Sequence, residues 1–397
     1  MKVSTKDKYE DARKLFKWIE RFFVTLGVWP LRPSTSRFSV WITYMAIHFF
    51  FSQVYLYYVF GDLQAMVMNV TDTGLMIMVS SRLIMLKFSR KLGSAVQLVI
   101  DFIDRKSFRH DEEWQLYLHY NRISKSYFKT VVPAALITTV LFWTKPMKNQ
   151  RVTALNNETK PYTLAYTTNY FIEVNDDVTF YLIWIYNFPM VFFAPWYTSS
   201  IGLLVSLVYH ISGRLSVLSY RIKNLRVQDF EHEQVMKMVF HELVHTHLEI
   251  VELAKNVNKV FGPLLLNELF ITTVIIGLTI YSSLVSIDVL DAVEIFSALS
   301  YGICVLLLIY SSCAAGEHVV IESSKLYAAY YECSWYDMPV HCQKQLVICM
   351  VGASRPIQLS AAGFNTYSRF LFVSVSFSFS TFVFFSRIKY SMNFYRF

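Results

Sequence analysis

Apolar runs long enough to cross a bilayer alternate along this chain with polar, charge-bearing stretches. A hydrocarbon core takes roughly 20 helical residues. The runs 38–60, 63–86, 127–144, 178–210, 261–287, 295–315 and 365–386 are seven candidate spans. The polar stretches 87–129, 211–258 and 316–363 read as helical and 145–177 as a turn-rich polar loop, so the pattern predicts an all-α membrane protein with seven transmembrane helices. The first run is broken only by His48 and Gln53. The second is weak, with Asp72, Thr73, Arg82 and several serines, and ionisable groups inside a span are functional candidates by default. The fourth exceeds what a bilayer needs, so it tilts or projects, with Pro189 and Pro195 kinking it. The turns after the first and fifth spans are short and acidic, holding Asp62 in one and Asp288, Asp291 and Glu294 in the other.

The last run carries the clearest pattern. It has no charge from Phe370 to Ser386, and its polar residues are small hydroxyls. On a helical wheel Ser374, Ser378, Thr381 and Phe385 share one face. A hydroxyl stripe ending in a bulky aromatic suits one strip of a pore wall: polar groups to solvate an ion, then an apolar constriction. Serines at 374, 376, 378 and 380 also alternate as in a strand, but a lone strand leaves its backbone unpaired in lipid. Close helix packing, with the hydroxyls bonding back to their own backbone, is the competing explanation. The residues alone leave pore and packing both open.

Composition agrees with the membrane class. The chain of 397 residues is 54% hydrophobic and only 17% charged, which excludes an ordinary soluble enzyme. The net charge of +8 is not a nucleic-acid signal, because its distribution follows the spans. Lys and Arg are dense in 1–37, between spans two and three, and between spans four and five; the 1–2 and 5–6 turns have none. The positive-inside rule then places the N-terminus in the cytosol and the C-terminus outside. Sequons at Asn69 and Asn157 fall on the expected outer side and are the candidate glycosylation sites. No cleavable leader is visible, so the first span is expected to direct insertion. Within 1–37, Leu15, Trp18, Ile19, Phe22 and Phe23 predict an amphipathic helix, lying on the membrane or packed on the bundle. The five cysteines are all late, form no CxxC pair, and read as free thiols.

Candidate chemistry is sparse. His241-Glu-Leu-Val-His245 matches the H-E-x-x-H zinc-protease spacing, with both imidazoles on one helical face. No third ligand follows at a credible place, and the surrounding Glu and Lys residues describe a solvated amphipathic helix. Phosphate-binding, nucleophile-elbow and dinucleotide signatures are missing. The expectation is therefore no enzyme, no cofactor and no metal site. A cytosolic N-terminus on seven spans also argues against a G-protein-coupled receptor.

From about residue 230 onward the chain resembles the insect odorant receptors. The resemblance rests on Tyr330-Tyr-Glu-Cys-Ser-Trp335, on Pro356-Ile-Gln-Leu-Ser-Ala-Ala-Gly363-Phe364, and on the Ser- and Phe-rich last run. Leu243-Val-His-Thr-His-Leu-Glu-Ile is similar too and gives the histidines a structural role. The glycine is shifted within Ser360-Ala-Ala-Gly363, and spans one to four match in layout only. The family's co-receptor carries a long insertion between spans four and five that this chain lacks, which suggests a tuning receptor.

The resemblance implies an odorant-gated, non-selective cation channel subunit, assembled with the co-receptor as a heterotetramer in the plasma membrane, in olfactory neuron dendrites. Four last helices would line the pore, with Ser374, Ser378, Thr381 and Phe385 as pore and gate residues. Small volatile odorants would bind among spans two to six, in the outer half. The candidates there are Thr73, Met76, Val140, Trp143, Tyr181, Ile185 and Thr279, where aromatic walls with a few hydroxyls suit apolar ligands. The expected organisation is a cytosolic segment 1–37, a bundle with the pocket at 38–315, a cytosolic anchor 316–364, and the pore span with a short outer tail at 365–397. A gustatory-type channel of the same superfamily, or a seven-span receptor without its own pore, is the alternative.

Overall fold

The computed structural model describes residues 5–104, 108–155, 164–225, 233–285 and 292–377. Ten α-helices carry nearly all of it: α1 (Thr5–Thr25), α2 (Thr35–Tyr58), α3 (Leu63–Phe88), α4 (Arg90–Asp104), α5 (Asp111–Leu155), α6 (Asp177–Tyr186), α7 (Phe193–Lys223), α8 (Glu233–Val285), α9 (Ala292–Glu332) and α10 (Val340–Ala353). A further helix begins at Arg369 and runs to the end of the described residues at Phe377.

Three helices are far longer than a bilayer. At 45, 53 and 41 residues, α5, α8 and α9 extend about 68, 80 and 62 Å. The predicted polar linkers before spans three and five and after span six are therefore continuations of the spanning helices. Pro133 in α5 and Pro263 in α8 lie inside these helices. Span four behaves differently. The expected kink at Pro189 is a full break: a 3₁₀ turn at Phe188–Phe192 separates α6 from α7, and Pro195 falls in the first turn of α7, where a missing N–H is harmless. Asp62 and Asp176 cap α3 and α6 by accepting from backbone amides of their first turns.

The bundle is built around α7. Nearly every residue from Phe193 to Ile222 is buried, chiefly against α5 and α9. Its small residues permit that. A Cβ added at Gly202 would lie 2.6 Å from the Phe128 ring, and one at Gly213 would lie 3.0 Å from Tyr117. Gly74 does the same for α3, its absent Cβ lying 2.6 Å from Ile275 of α8. Four described helical stretches are long and apolar enough to cross a membrane: Asp111–Met147, Asp177–Lys223, Gln234–Leu278 and Cys304–Glu332. α2 and α3, of 24 and 26 residues, have the length but are diluted by His48, Ser52 and Gln53, and by Asn69, Asp72 and Arg82. The amphipathic α1 packs on the bundle, burying Ala12, Leu15, Phe16, Ile19 and Phe23. All five cysteines are free.

Between α10 and the last helix the chain makes a small hairpin that the hydropathy pattern did not foretell. Ser360–Ala361 pairs antiparallel with Asn365–Thr366. Its turn passes through Ala362 (φ 51°) and Gly363 (φ 85°), closed by Phe364 N donating to Ala361 O at 3.0 Å. A glycine at 363 takes the left-handed conformation freely.

Candidate functional site

Two layers of polar chemistry lie inside the apolar bundle. The first is at the end where α3 begins. Asn69 Nδ2 donates to Ser52 O and Ser52 Oγ on α2, both at 2.9 Å, and to Thr167 O at 3.1 Å. Thr167 Oγ1 donates to Asp72 at 3.0 Å, so the segment 164–176 is tied down onto α2 and α3. An aromatic cluster sits beside these bonds. The His48 ring lies 5.8 to 6.2 Å from those of Tyr44, Tyr166 and Tyr186. Tyr44 donates to Tyr186 O at 3.0 Å, and Tyr170 to Asn187 Oδ1 at 2.8 Å. A cleft of about 460 Å³ opens next to it, lined by Tyr55, Tyr58, Thr168, Tyr170, Phe171 and Glu173 among others.

The second layer lies nearer the Phe88 end of α3. Arg82 on α3 donates from Nη2 to Glu268 Oε2 on α8, and from Nη1 to Ser200 Oγ on α7 at 3.1 Å. Its guanidinium carbon lies 4.9 Å from the centroid of the Tyr197 ring. Both charged side chains are only 3% exposed. Opposite charges inside two spans were the available signal, because a charge in lipid finds a partner.

The base of the last helix is pinned next to this layer. Tyr367 donates its hydroxyl to Leu265 O on α8 at 3.0 Å, and its amide to Leu359 O at 2.8 Å. Asn258 on α8 grips the hairpin from both sides, donating to Gln358 O at 2.6 Å and accepting from Ser360 N at 3.0 Å. Gly316 on α9 lies so close that an added Cβ would meet Tyr367 O at 2.1 Å. Past this base one side of the helix packs inward through Leu371, with Phe372 against Tyr310 at 5.2 Å, and the other side exposes Phe370 and Val373. Ser374 Oγ donates back to Phe370 O at 3.0 Å. Ser378, Thr381 and Phe385 lie outside the described residues.

The expected ligand residues with described side chains fall in different surroundings. Thr73 is buried and shares hydrogen bonds with Ser52 and Gln53 of α2, and Met76 is buried in the core. Val140 on α5 and Tyr181 and Ile185 on α6 are exposed. Trp143 stacks on Trp184 at 3.8 Å, each indole donating to the other's carbonyl at 3.0 Å. The Thr279 side chain lies outside the described residues. None of the other six lines the cleft. The aromatic cluster around His48 was missed, because Tyr166 and Tyr170 read as part of a solvent loop.

Asn69 is corrected outright as a glycan site. Its amide nitrogen, the atom a sugar would occupy, is buried and has three acceptors. Asn157 lies outside the described residues. His241 and His245 do share a face, their rings stacked 6.2 Å apart. The glutamate between them is held by Arg109 and Arg221, and His245 pairs with Glu249. The H-E-x-x-H segment is thus part of an ion-pair network joining α5, α7 and α8.

These features define an almost entirely helical, multi-pass membrane protein. The 7tm Odorant receptor family model matches residues 62–379, and the chain belongs to that family. It is 26% identical over 145 residues to the odorant receptor coreceptor of Anopheles gambiae, 36% of this chain and 30% of that one. It is 28% identical over 163 residues to odorant receptor 49a of Drosophila melanogaster, 38% of each. The match thus spans about a third of the length of these curated relatives. Over the whole fold it is similar to the olfactory receptor OR5 of Machilis hrabei. That structure alone gives a TM-score of 0.76 at 17% identity, covering 94% of this chain and 98% of the other; its complex with eugenol gives 0.73 at 16%, covering 95% and 99%. The family's members are receptors and not enzymes.

Proposed function

We propose that this chain is a tuning subunit of an odorant-gated, non-selective cation channel, assembled with the co-receptor in the plasma membrane of olfactory neurons. The observation that carries the proposal is the last helix. Its base is fastened to α8 and α9 through Asn258, Gly316 and Tyr367, while Phe370 and Val373 just beyond are exposed in the single chain. A membrane helix held at its base and carrying exposed apolar residues just beyond it suits assembly around a shared axis. Ser374, Ser378, Thr381 and Phe385 would then line the pore, with Phe385 as the dewetting constriction.

Small apolar odorants would bind in the half of the bundle nearest Leu63, taken as the outer half from the charge pattern. Thr73, Met76 and the Trp143–Trp184 pair are the wall residues favoured there. The relative whose structure holds eugenol supports a small aromatic ligand as the first probe. Ligand burial opens the pore only as far as it binds the open arrangement more tightly.

Whole-cell recording with and without the co-receptor, across volatile phenols, esters and alcohols including eugenol, tests this. Current is expected only with the co-receptor and should not distinguish Na⁺ from K⁺. Conduction without the co-receptor in response to sugars or bitter compounds would favour the gustatory-type alternative. Ligand responses without any current would favour a receptor with no pore.

A further inference from the structure

Arg82 and Glu268 are given no task by a pocket in one half of the bundle and a pore in the last helix. Yet they join three helices at one point. The guanidinium reaches Glu268 on α8, Ser200 on α7 at 3.1 Å, and the Tyr197 ring face at 4.9 Å. Asn267 Nδ2 adds a parallel tie from α8 to Ser81 on α3 at 3.2 Å. One turn before Glu268 on α8, Leu265 O accepts from the Tyr367 hydroxyl at 3.0 Å. Tyr367 also lies within electrostatic reach of both charges. Arg369 N, at the start of the last helix, is held by Glu317 of α9 at 3.2 Å.

Cohesion does not require this arrangement. Desolvation offsets most of the attraction in a buried ion pair, and a well-packed apolar pair often holds helices as firmly. What the pair adds is discreteness. The guanidinium fork satisfies the carboxylate, the hydroxyl and the ring in one arrangement, so α3, α7 and α8 cannot slide independently without breaking it. An element with discrete arrangements that two sites can bias is the physical requirement for coupling.

We propose that the Arg82–Glu268 pair is the positioning element that transmits ligand binding in the Leu63 half of the bundle to the last helix. Displacement of α3 or α7 passes through Arg82 to Glu268, along one turn of α8 to Leu265, and through Tyr367 to the helix that starts at Arg369. This rests on the channel reading above.

The test uses the full chain with the co-receptor, surface level measured by biotinylation. The probe is the strongest agonist among a panel of small phenols, esters and alcohols. The double variant R82M/E268L removes both charges together, leaving neither uncompensated. It should reach the surface within about twofold of wild type, while evoked current per surface receptor falls at least about fivefold. Ser200→Ala and Tyr367→Phe each remove one hydroxyl and keep the packing. Each should raise the half-maximal agonist concentration at least about threefold. A double variant with wild-type current per surface receptor would overturn the proposal. If it fails to reach the surface, unchanged dose–response curves in both single variants overturn it instead. Wild-type current with unaffected variants refutes the pair and leaves the channel standing. A wild-type complex at full surface level that is silent across the panel refutes the channel, and this proposal with it.

Discussion

At the scale of single residues, the contacts that matter most are those that hold the base of the last helix. Gly316 has no alternative, because any Cβ there collides with the backbone oxygen of Tyr367, which cannot rotate away. Gly316→Ala should displace the hairpin, at a cost of about 1–3 kcal/mol for overpacking. The measurements are a lower melting temperature in detergent and reduced evoked current per surface receptor. The sequence marked the other side of this joint. Pro356 to Phe364 stood out by its resemblance, and Gly363 does take a positive φ. Gly316 sits 40 residues or more away in a helix, and nothing local distinguishes a glycine that faces a backbone from one that faces lipid. Asn69 teaches the reverse lesson. Its sequon is a genuine three-residue match, but three acceptors claim its amide. Asn69→Gln should leave the glycosidase-sensitive gel mobility unchanged.

At the scale of elements, the helices were legible from hydropathy and their true lengths were not. Charge density ended each span at the bilayer, whereas the polar turns of α5, α8 and α9 run on and pair with Arg214, Arg221 and Lys223 of α7. Glu113 on α5 is the clearest case, ahead of the 127–144 span. It accepts from Arg221 Nε at 2.9 Å and Nη2 at 2.8 Å, and from Arg109 N at 2.8 Å. Burial pushes its carboxyl upward, but the Arg221 guanidinium and the Arg109 amide outweigh that and hold it below the usual carboxylate range. A depressed carboxylate adds stability above its unfolded value and loses it as pH falls through the carboxylate range. Glu113→Gln should therefore cost about 1–3 kcal/mol of stability at neutral pH, read as a lower melting temperature and limited by the partial solvation of Arg221. The deficit against wild type should shrink on acidification. The H-E-x-x-H match belongs to the same network. The spacing that puts two imidazoles on one helical face is also the spacing of ordinary surface pairs.

At the scale of the molecule, the inward-facing positions are settled within one chain, and the last helix is not. α7 is wrapped on all sides, whereas Phe370 and Val373 on the last helix are exposed. The stripe through Ser374, Ser378, Thr381 and Phe385 was legible as periodicity, but periodicity cannot separate a pore wall from a packing face. The Arg82–Glu268 layer was legible only as two opposite charges in separate spans; that they meet, across 186 residues, took the fold to show. The most direct test is a cysteine scan from Ser374 to Ile388 in the co-receptor complex, with a thiol-reactive blocker applied during agonist current. The account predicts block at 374, 378, 381 and 385, recurring every three or four residues, and none at the intervening positions. Uniform protection of that face, with agonist current intact, would show that the last helix packs its hydroxyls away and that the ions pass elsewhere.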